Sequence, residues 1–224
     1  MSSSKTDALP RLAVLISGSG TNMVAIARAC QEGRIPARIA LVLSDVPGVK
    51  GLERARELGL PTAVVDRRTL LRDGRPDRQA FEAAVEREIE ASGADYVILA
   101  GFMRVLSASI VERYRGRMLN IHPSLLPKHK GLDTHARALA AGDTEHGASV
   151  HFVTPELDGG PLIAQSPVPV LPGDTVATVS ARVHAGEHIL YPMVIAWLAS
   201  GRLQWNGGNP TLDGAPLAQP VRIT

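Results

Sequence analysis

The sequence predicts an α/β protein built on an open, mostly parallel twisted sheet with an antiparallel addition at its C-terminal side. Three observations carry that reading. Short, nearly continuous apolar runs end in glycine or polar residues, amphipathic helical stretches lie between them, and the pattern changes in the last third. Parallel strands covered on both faces read as unbroken apolar runs, whereas strands wetted on one face alternate.

Arg11 to Ser17 (Arg-Leu-Ala-Val-Leu-Ile-Ser) is the first such run and leads directly into glycines. From Asn22 to about Glu32, Met23, Ile26, Ala27 and Cys30 recur at three- and four-residue intervals until Gly33, which marks a helix and its stop. Arg38 to Ser44 gives a second strand, followed by a turn through Asp45, Pro47 and Gly48. A short helix through Leu52, Ala55 and Leu58 ends at Gly59, and Pro61 to Val65 supplies a third strand. The polar stretch Asp66 to Asp77, with Gly74 and Pro76, favours a loop at the ligand-bearing side. Phe81, Ala84, Val85 and Ile89 return to helical spacing, Tyr96 to Ala100 is a strand, Ser107 to Tyr114 a helix, and Arg117 to Ile121 a further strand. This alternation is a Rossmann-like half.

The last third behaves differently. His146 to Val153 and Pro161 to Val170 are β-rich and separated by the turn-forming Thr154-Pro155-Glu156-Leu157-Asp158-Gly159-Gly160, which suits an antiparallel pair continuing the same sheet. Asp174-Thr175 can cap a long closing helix through Val179, Val183, Ile189, Val194 and Leu198, ended by Gly201. Asn206 to Pro220 is rich in glycine, proline and polar residues and reads as a tail with at most a short strand. One domain over residues 11–203, with flexible termini at 1–10 and 204–224, is therefore expected; 224 residues suffice for one large core.

Twenty-four basic residues against 22 acidic ones leave a formal charge of +2, scattered along the chain, which argues against a nucleic-acid partner. The single cysteine, Cys30, has no internal partner for a bridge and reads as a small buried hydrophobe. No run approaches the roughly 20 apolar residues needed to span a bilayer, and the first ten lack the apolar core of a secretory signal. A cytoplasmic protein with no membrane partner is expected, as monomer or homodimer.

Two segments carry chemistry. Ser17-Gly18-Ser19-Gly20-Thr21-Asn22 lies between the first strand and first helix, where backbone N–H groups, two hydroxyls and the positive helix end can surround a phosphate. It lacks the third glycine of a dinucleotide fingerprint, since Met23 stands there, and no Gly-Lys-Ser/Thr follows, so a phosphomonoester fits better than NAD or ATP. A tight turn alone would also explain these glycines. Arg78, with Arg67, Arg68, Arg72 and Arg75 nearby, offers charges to close over the same phosphate.

The second segment is Asn120-Ile121-His122-Pro123, where strand periodicity aims an amide and an imidazole the same way, onto one oxygen atom. Asp158, before two glycines that permit a tight turn, is positioned to hold that imidazole in a chosen tautomer. A hydrogen-bonded turn without chemistry is the alternative for Asn120 and His122. The seven histidines match no zinc-finger or His-Glu-x-x-His spacing, so no metal is expected. No Gly-x-Ser-x-Gly occurs and the only cysteine is remote in sequence, which favours direct transfer between two bound substrates over a covalent acyl intermediate.

Four stretches in the same order, Ile16 to Asn22, Ala100-Gly101-Phe102-Met103-Arg104-Val105-Leu106, Leu119 to Pro127, and Gly147 to Pro161, resemble the phosphoribosylglycinamide formyltransferase family of folate-dependent enzymes in purine synthesis. The resemblance runs from about Arg11 to Leu203 and implies an α/β transferase that uses 10-formyltetrahydrofolate as co-substrate, without a metal. It implies that Asn120, His122 and Asp158 are the catalytic trio, and that Gly18, Ser19, Gly20, Thr21, Asn22, Arg78 and Glu187 hold the glycinamide ribonucleotide. Met103, Arg104, Val105 and Leu106, with Thr154, Pro155, Glu156, Leu157 and Asp158, correspond to the folate pocket. The related methionyl-tRNA formyltransferase and formyltetrahydrofolate deformylase carry an extra C-terminal barrel or N-terminal domain, for which the segments after Leu203 and before Arg11 are too short. Ser19 stands where some members have Asn, a change to one phosphate or ribose contact that leaves the backbone donors in place. His184, near Glu187, falls where less basic residues are expected. Two other readings stay open at this level: a hydrolase that lets water attack the formyl group, and a binding protein for a phosphorylated metabolite.

Overall fold

The computed structural model describes residues 9–223, so most of the N-terminal segment expected to be flexible lies outside the described residues. The first half runs β1 (Arg11–Ile16), α1 (Thr21–Gln31), β2 (Arg38–Ser44), α2 (Lys50–Glu57), β3 (Thr62–Val64), a small hairpin of β4 (Leu71–Arg72) and β5 (Arg75–Pro76), α3 (Arg78–Ser92), β6 (Tyr96–Leu99), α4 (Ala108–Arg113) and β7 (Met118–His122). The second half adds α5 (Thr134–Ala140), β8 (Glu145–Phe152), β9 (Leu162–Pro169), α6 (Val176–Ala199), β10 (Leu203–Gln204), β11 (Thr211–Leu212), β12 (Ala215–Pro216) and β13 (Val221–Arg222).

The main sheet has the order β13-β9-β8-β7-β6-β1-β2-β3. Strands β3, β2, β1, β6 and β7 are parallel, β8 is antiparallel to both its neighbours, and β13 runs parallel to β9. The apolar run of β1 is explained by its place between β2 and β6. Leu12, Val14 and Ile16 enter a core shared with α1 and α6, while Ala13 and Leu15 enter a second core with Phe81 and Val85 of α3 and Ile110 and Val111 of α4. Alternate residues feed opposite faces, so the strand is apolar throughout.

Helix α6 ties the sheet to the ligand edge. Thr175 caps it: its side chain accepts from the Thr178 N–H, and the Thr178 hydroxyl accepts from the Thr175 N–H. Pro192 lies inside the helix without ending it, surrounded by the buried Tyr191, Val194 and Ile195, whose packing outweighs the missing backbone donor. The fully buried Tyr191 hydroxyl lies 2.9 Å from the carbonyl of Leu99 and 3.2 Å from that of Leu119, reaching β6 and β7 where the site begins.

Three features depart from the sequence expectation. Helix α5 was not anticipated, because it is short and its apolar residues are mainly alanines. The expected loop at 66–77 contains the β4–β5 hairpin. The stretch after Leu203 does more than supply a short strand: β10, β11 and β12 form a small antiparallel sheet, and Val221–Arg222 extend the main sheet beside Ala164 and Gln165. Trp205 anchors it, buried and stacked on Phe152 with ring centroids 5.3 Å apart. Among the described residues, no helix is long and apolar enough to cross a membrane.

Replacing Tyr191 with Phe removes a donor from two buried carbonyls and is expected to lower unfolding stability by about 1–3 kcal/mol. Urea denaturation measures it, and an unchanged midpoint would show that this hydroxyl does not tie α6 to the sheet.

Candidate active site

The C-terminal ends of β1, β6 and β7 open onto one cleft of about 830 Å³. It is lined by residues 17–22, by the segment after β6 including Met103 to Leu106, by Asn120 and His122 of β7, by Thr154 to Asp158, and by Glu187 of α6. The one expected site residue missing from its wall is Arg78. Its Nε pairs with Glu82 at 2.9 Å and its Nη2 donates to the Val105 carbonyl at 3.2 Å, so in this structure it supports the segment after β6 from behind.

The glycine loop is shaped by a close approach of two backbones. Gly20 has φ +71° and caps α1 without a side-chain hydrogen bond, and a Cβ there would lie 2.6 Å from the Cα of Gly51 in α2. Gly51 N–H donates to the Gly18 carbonyl at 3.0 Å, and Arg54 Nη1 donates to the Ser19 carbonyl at 2.9 Å. Helix α2 thus grips the loop through its carbonyls. The N–H groups at the start of α1 are left without a side-chain cap at the cleft, an anion-binding arrangement.

Glu187 is buried and accepts from Asn22 Nδ2 at 2.9 Å. Burial raises its carboxyl above the ordinary range, against the pull of the Asn22 hydrogen bond. Asn22 Oδ1 is buried and has no protein partner. His184 also lines this end of the cleft, beside His135 with ring centroids 6.4 Å apart.

Asn120 and His122 emerge on the same side of β7, as strand periodicity requires, while Leu119 and Ile121 enter the core. Asn120 is oriented by His151, its cross-strand partner on β8. The His151 Nδ1–H donates to the Phe152 carbonyl at 2.8 Å, which leaves Nε2 as an acceptor for Asn120 Nδ2 at 3.2 Å. Burial lowers the pKa of His151 and keeps it in this neutral form. One Asn120 N–H is thereby fixed on His151 and the other is free for a ligand oxygen. The sequence alone does not mark His151; its place opposite Asn120 is the signal, and it emerges only with the β7–β8 register.

His122 is buried, and its two nitrogens have different surroundings. Nε2 donates to the His129 carbonyl at 3.0 Å, and Nδ1 lies 3.4 Å from Asp158 Oδ2. A carbonyl can only accept, so Nε2 carries a proton, and Nδ1 is the nitrogen that faces the carboxylate. Asp158, at φ +47°, is held by the Gly131 N–H at 2.8 Å. The second glycine after it is required by space: a Cβ on Gly160 would lie 1.8 Å from the Phe152 carbonyl oxygen.

On the other side of the cleft, the segment Met103 to Leu106 is held by a buried carboxylate. Asp45 accepts from the Ser17 hydroxyl and from Arg104 Nε, both at 2.5 Å, and Ser17 Oγ accepts the Met103 N–H at 2.8 Å. Met103 and Val105 leave exposed apolar side chains at the cleft, and Leu157 does the same from the facing loop. An apolar wall with fixed backbone polar groups suits a flat aromatic ligand. Among the described residues, no group of three or more His, Cys, Asp or Glu side chains is arranged to hold a metal ion.

Gly160→Ala is expected to cost about 1–3 kcal/mol of stability through overpacking and to displace Asp158 from His122. Chemical denaturation and a structure of the variant test this; an unaltered midpoint with Asp158 in place would contradict it.

Comparison with known proteins adds to this geometry. Residues 10–195 match the formyl transferase family model. The phosphoribosylglycinamide formyltransferase of Escherichia coli is 48% identical over 206 residues, covering 92% of this chain and 95% of that protein. The human trifunctional purine biosynthetic protein adenosine-3 is 43% identical over 194 residues, 87% of this chain and 19% of that longer protein. The solved structure of phosphoribosylglycinamide formyltransferase from Coxiella burnetii superposes with a TM-score of 0.90 at 45% identity, covering 97% of this chain and all of that one.

Proposed function

Because the chain belongs to the formyl transferase family, we propose that its cleft transfers a formyl group from 10-formyltetrahydrofolate to the amine of 5′-phosphoribosylglycinamide, a step of purine biosynthesis. The observation that carries this reading is the convergence of the Asn120 amide, the His122 imidazole and the Asp158 carboxylate between an uncapped helix N-terminus and an apolar wall.

The ribonucleotide phosphate sits on the N–H groups of residues 18–22, with Asn22 and Glu187 toward its ribose or glycinamide part. The pterin lies against Met103 to Leu106 and the Thr154 to Asp158 loop. This places the acceptor amine and the formyl carbon side by side, replacing a bimolecular encounter with a positioned one.

The amine nitrogen attacks the formyl carbon, and the carbonyl becomes a tetrahedral oxyanion. The free Asn120 N–H and the protonated Nδ1 of His122 stabilise that oxygen from positions fixed before the reaction. Asp158 pairs with the His122 ring and, through a water, carries the proton released by the amine toward the folate nitrogen. As the oxyanion collapses, the bond from carbon to the folate nitrogen breaks. The products are formylated ribonucleotide and tetrahydrofolate, with no covalent enzyme intermediate.

Purified protein given both substrates is expected to consume the formyl donor only when the ribonucleotide is present, with little formate released in its absence. Donor consumption independent of the amine would favour a hydrolase, and no consumption in its presence would refute the transferase reading. Asn120→Ala is expected to lower kcat by on the order of a hundred- to a thousandfold, about 3–4 kcal/mol at the transition state; near-normal turnover would remove Asn120 from the mechanism. Asp158→Asn is expected to depress kcat more than the affinity for either substrate. Weaker substrate binding with turnover intact would reject its role in proton transfer.

A further inference from the structure

We propose that Asp143 and the side chain of His129 are positioning residues that present the His129 carbonyl to His122 Nε2 and so hold the ring with Nδ1 facing the reaction. The inference deepens the proposed function and rests on His122 being catalytic.

The loop after β7 is closed on itself as far as Lys128. Ser124 N–H donates to the His122 carbonyl at 2.9 Å, Ser124 Oγ donates to the Lys128 carbonyl at 2.6 Å, and Lys128 N–H donates to the Leu125 carbonyl at 3.1 Å. The next carbonyl but one, that of Lys130, is held by Arg137 Nη1 at 2.6 Å. Between these anchors lies the His129–Lys130 peptide, whose carbonyl meets His122 Nε2 at 3.0 Å. His129 itself has φ +55°, a left-handed conformation that a residue with a Cβ adopts only when its surroundings impose it.

The Asp143 carboxylate imposes it. Oδ2 lies 2.6 Å from His129 Nε2, and Oδ1 accepts from Lys128 Nζ at 2.8 Å. The His129 and Asp143 side chains are each only 13% exposed, so this hydrogen bond is shielded, whereas the Lys128 side chain is 63% exposed and its pair is screened by solvent. The hydrogen bonds from His129 and then Lys128 hold the Asp143 carboxyl below its ordinary range, so it remains an acceptor at neutral pH. His146, edge-on to His129 at 6.1 Å between ring centroids, is pushed down to about 4 by burial and stays neutral beside it.

The consequence for His122 follows from donor and acceptor arithmetic. If the His129 carbonyl turns away, Nε2 loses its fixed acceptor, and the neutral ring can place its proton on Nδ1 against Asp158. The ring is then no longer held at Nε2, and Nδ1 moves from the position at which its proton meets the oxyanion, although neither substrate contact has been removed; the changed tautomer population reports the lost acceptor. Asp143 and His129 therefore govern kcat through geometry and leave substrate affinity alone.

The test compares Asp143→Ala, His129→Leu, His129→Gln and Lys128→Met by steady-state kinetics, and reads the His122 tautomer from ring nitrogen chemical shifts in isotope-labelled folded protein. Asp143→Ala and His129→Leu are expected to lower kcat on the order of tenfold, short of the hundredfold that an ångström misplacement can cost, with both KM values nearly unchanged. In both, His122 is expected to shift population toward the Nδ1–H tautomer. His129→Gln retains a donor to Asp143 and restores kcat and tautomer, and Lys128→Met leaves both as they are. Normal kcat and an unchanged tautomer in Asp143→Ala and His129→Leu would overturn the inference. So would an equal loss in Lys128→Met or His129→Gln, which would mark general loosening of the loop. Turnover retained in His122→Ala would instead refute the catalytic reading, while the tautomer measurement would still judge the positioning role.

Discussion

Strands β1, β2, β6 and β7 run the same way, and the residues that the first half of the chain contributes to the cleft leave the sheet where those strands stop. Parallel strands need a crossover after each one, so the strand ends collect at a single edge, facing the turns that lead into the helices. Ser17 to Asn22 follow β1, Asp45 follows β2, Met103 to Leu106 follow β6, and His122 ends β7. Tyr191 and the Asn22–Glu187 hydrogen bond then fix α6 against that edge. Without this common edge, the phosphate loop and the amide–imidazole pair would have no reason to share a cleft.

Of the three groups proposed to act on the formyl carbon, only Asp158 comes from the second half of the chain, and its arrival depends on the antiparallel addition. β8 turns back alongside β7, so His151 lies opposite Asn120 and orients the amide, while the β8–β9 connection folds over to bring a carboxylate to His122. Each of the three polar groups is thus held by a neighbour that is not itself proposed to meet substrate: Asn120 by His151, His122 by the His129 carbonyl, and Asp158 by the Gly131 N–H. A transferase without a covalent intermediate relies on such preorganisation, because its rate comes from position and charge and no enzyme-bound intermediate divides the barrier.

What the sequence made legible was local. Strand periodicity aimed Asn120 and His122 together, the glycines around Ser19 marked the loop entering α1, and Asp158 before two glycines marked a turn where a carboxylate points inward. What it hid was pairing over long separations. Asp45 read as part of a turn, although its carboxylate holds Arg104 and Ser17 beneath the segment after β6. Arg78 read as a phosphate ligand because it carries the right charge, and its pairing with Glu82, one helical turn later, did not enter that reading. The residues after Leu203 read as a tail because glycine and proline dominate them, while the burial of Trp205 against Phe152 is visible only once β8 is in place.

In the proposed chemistry one amide and one imidazole meet a single carbonyl oxygen. A crystal structure with the ribonucleotide and an unreactive formyl-folate analogue in the cleft tests it most directly. The analogue's carbonyl oxygen is expected within hydrogen-bonding distance of both Asn120 Nδ2 and His122 Nδ1, with the acceptor amine poised over the carbon. A carbonyl oxygen bound away from either group, with both ligands seated, would contradict it.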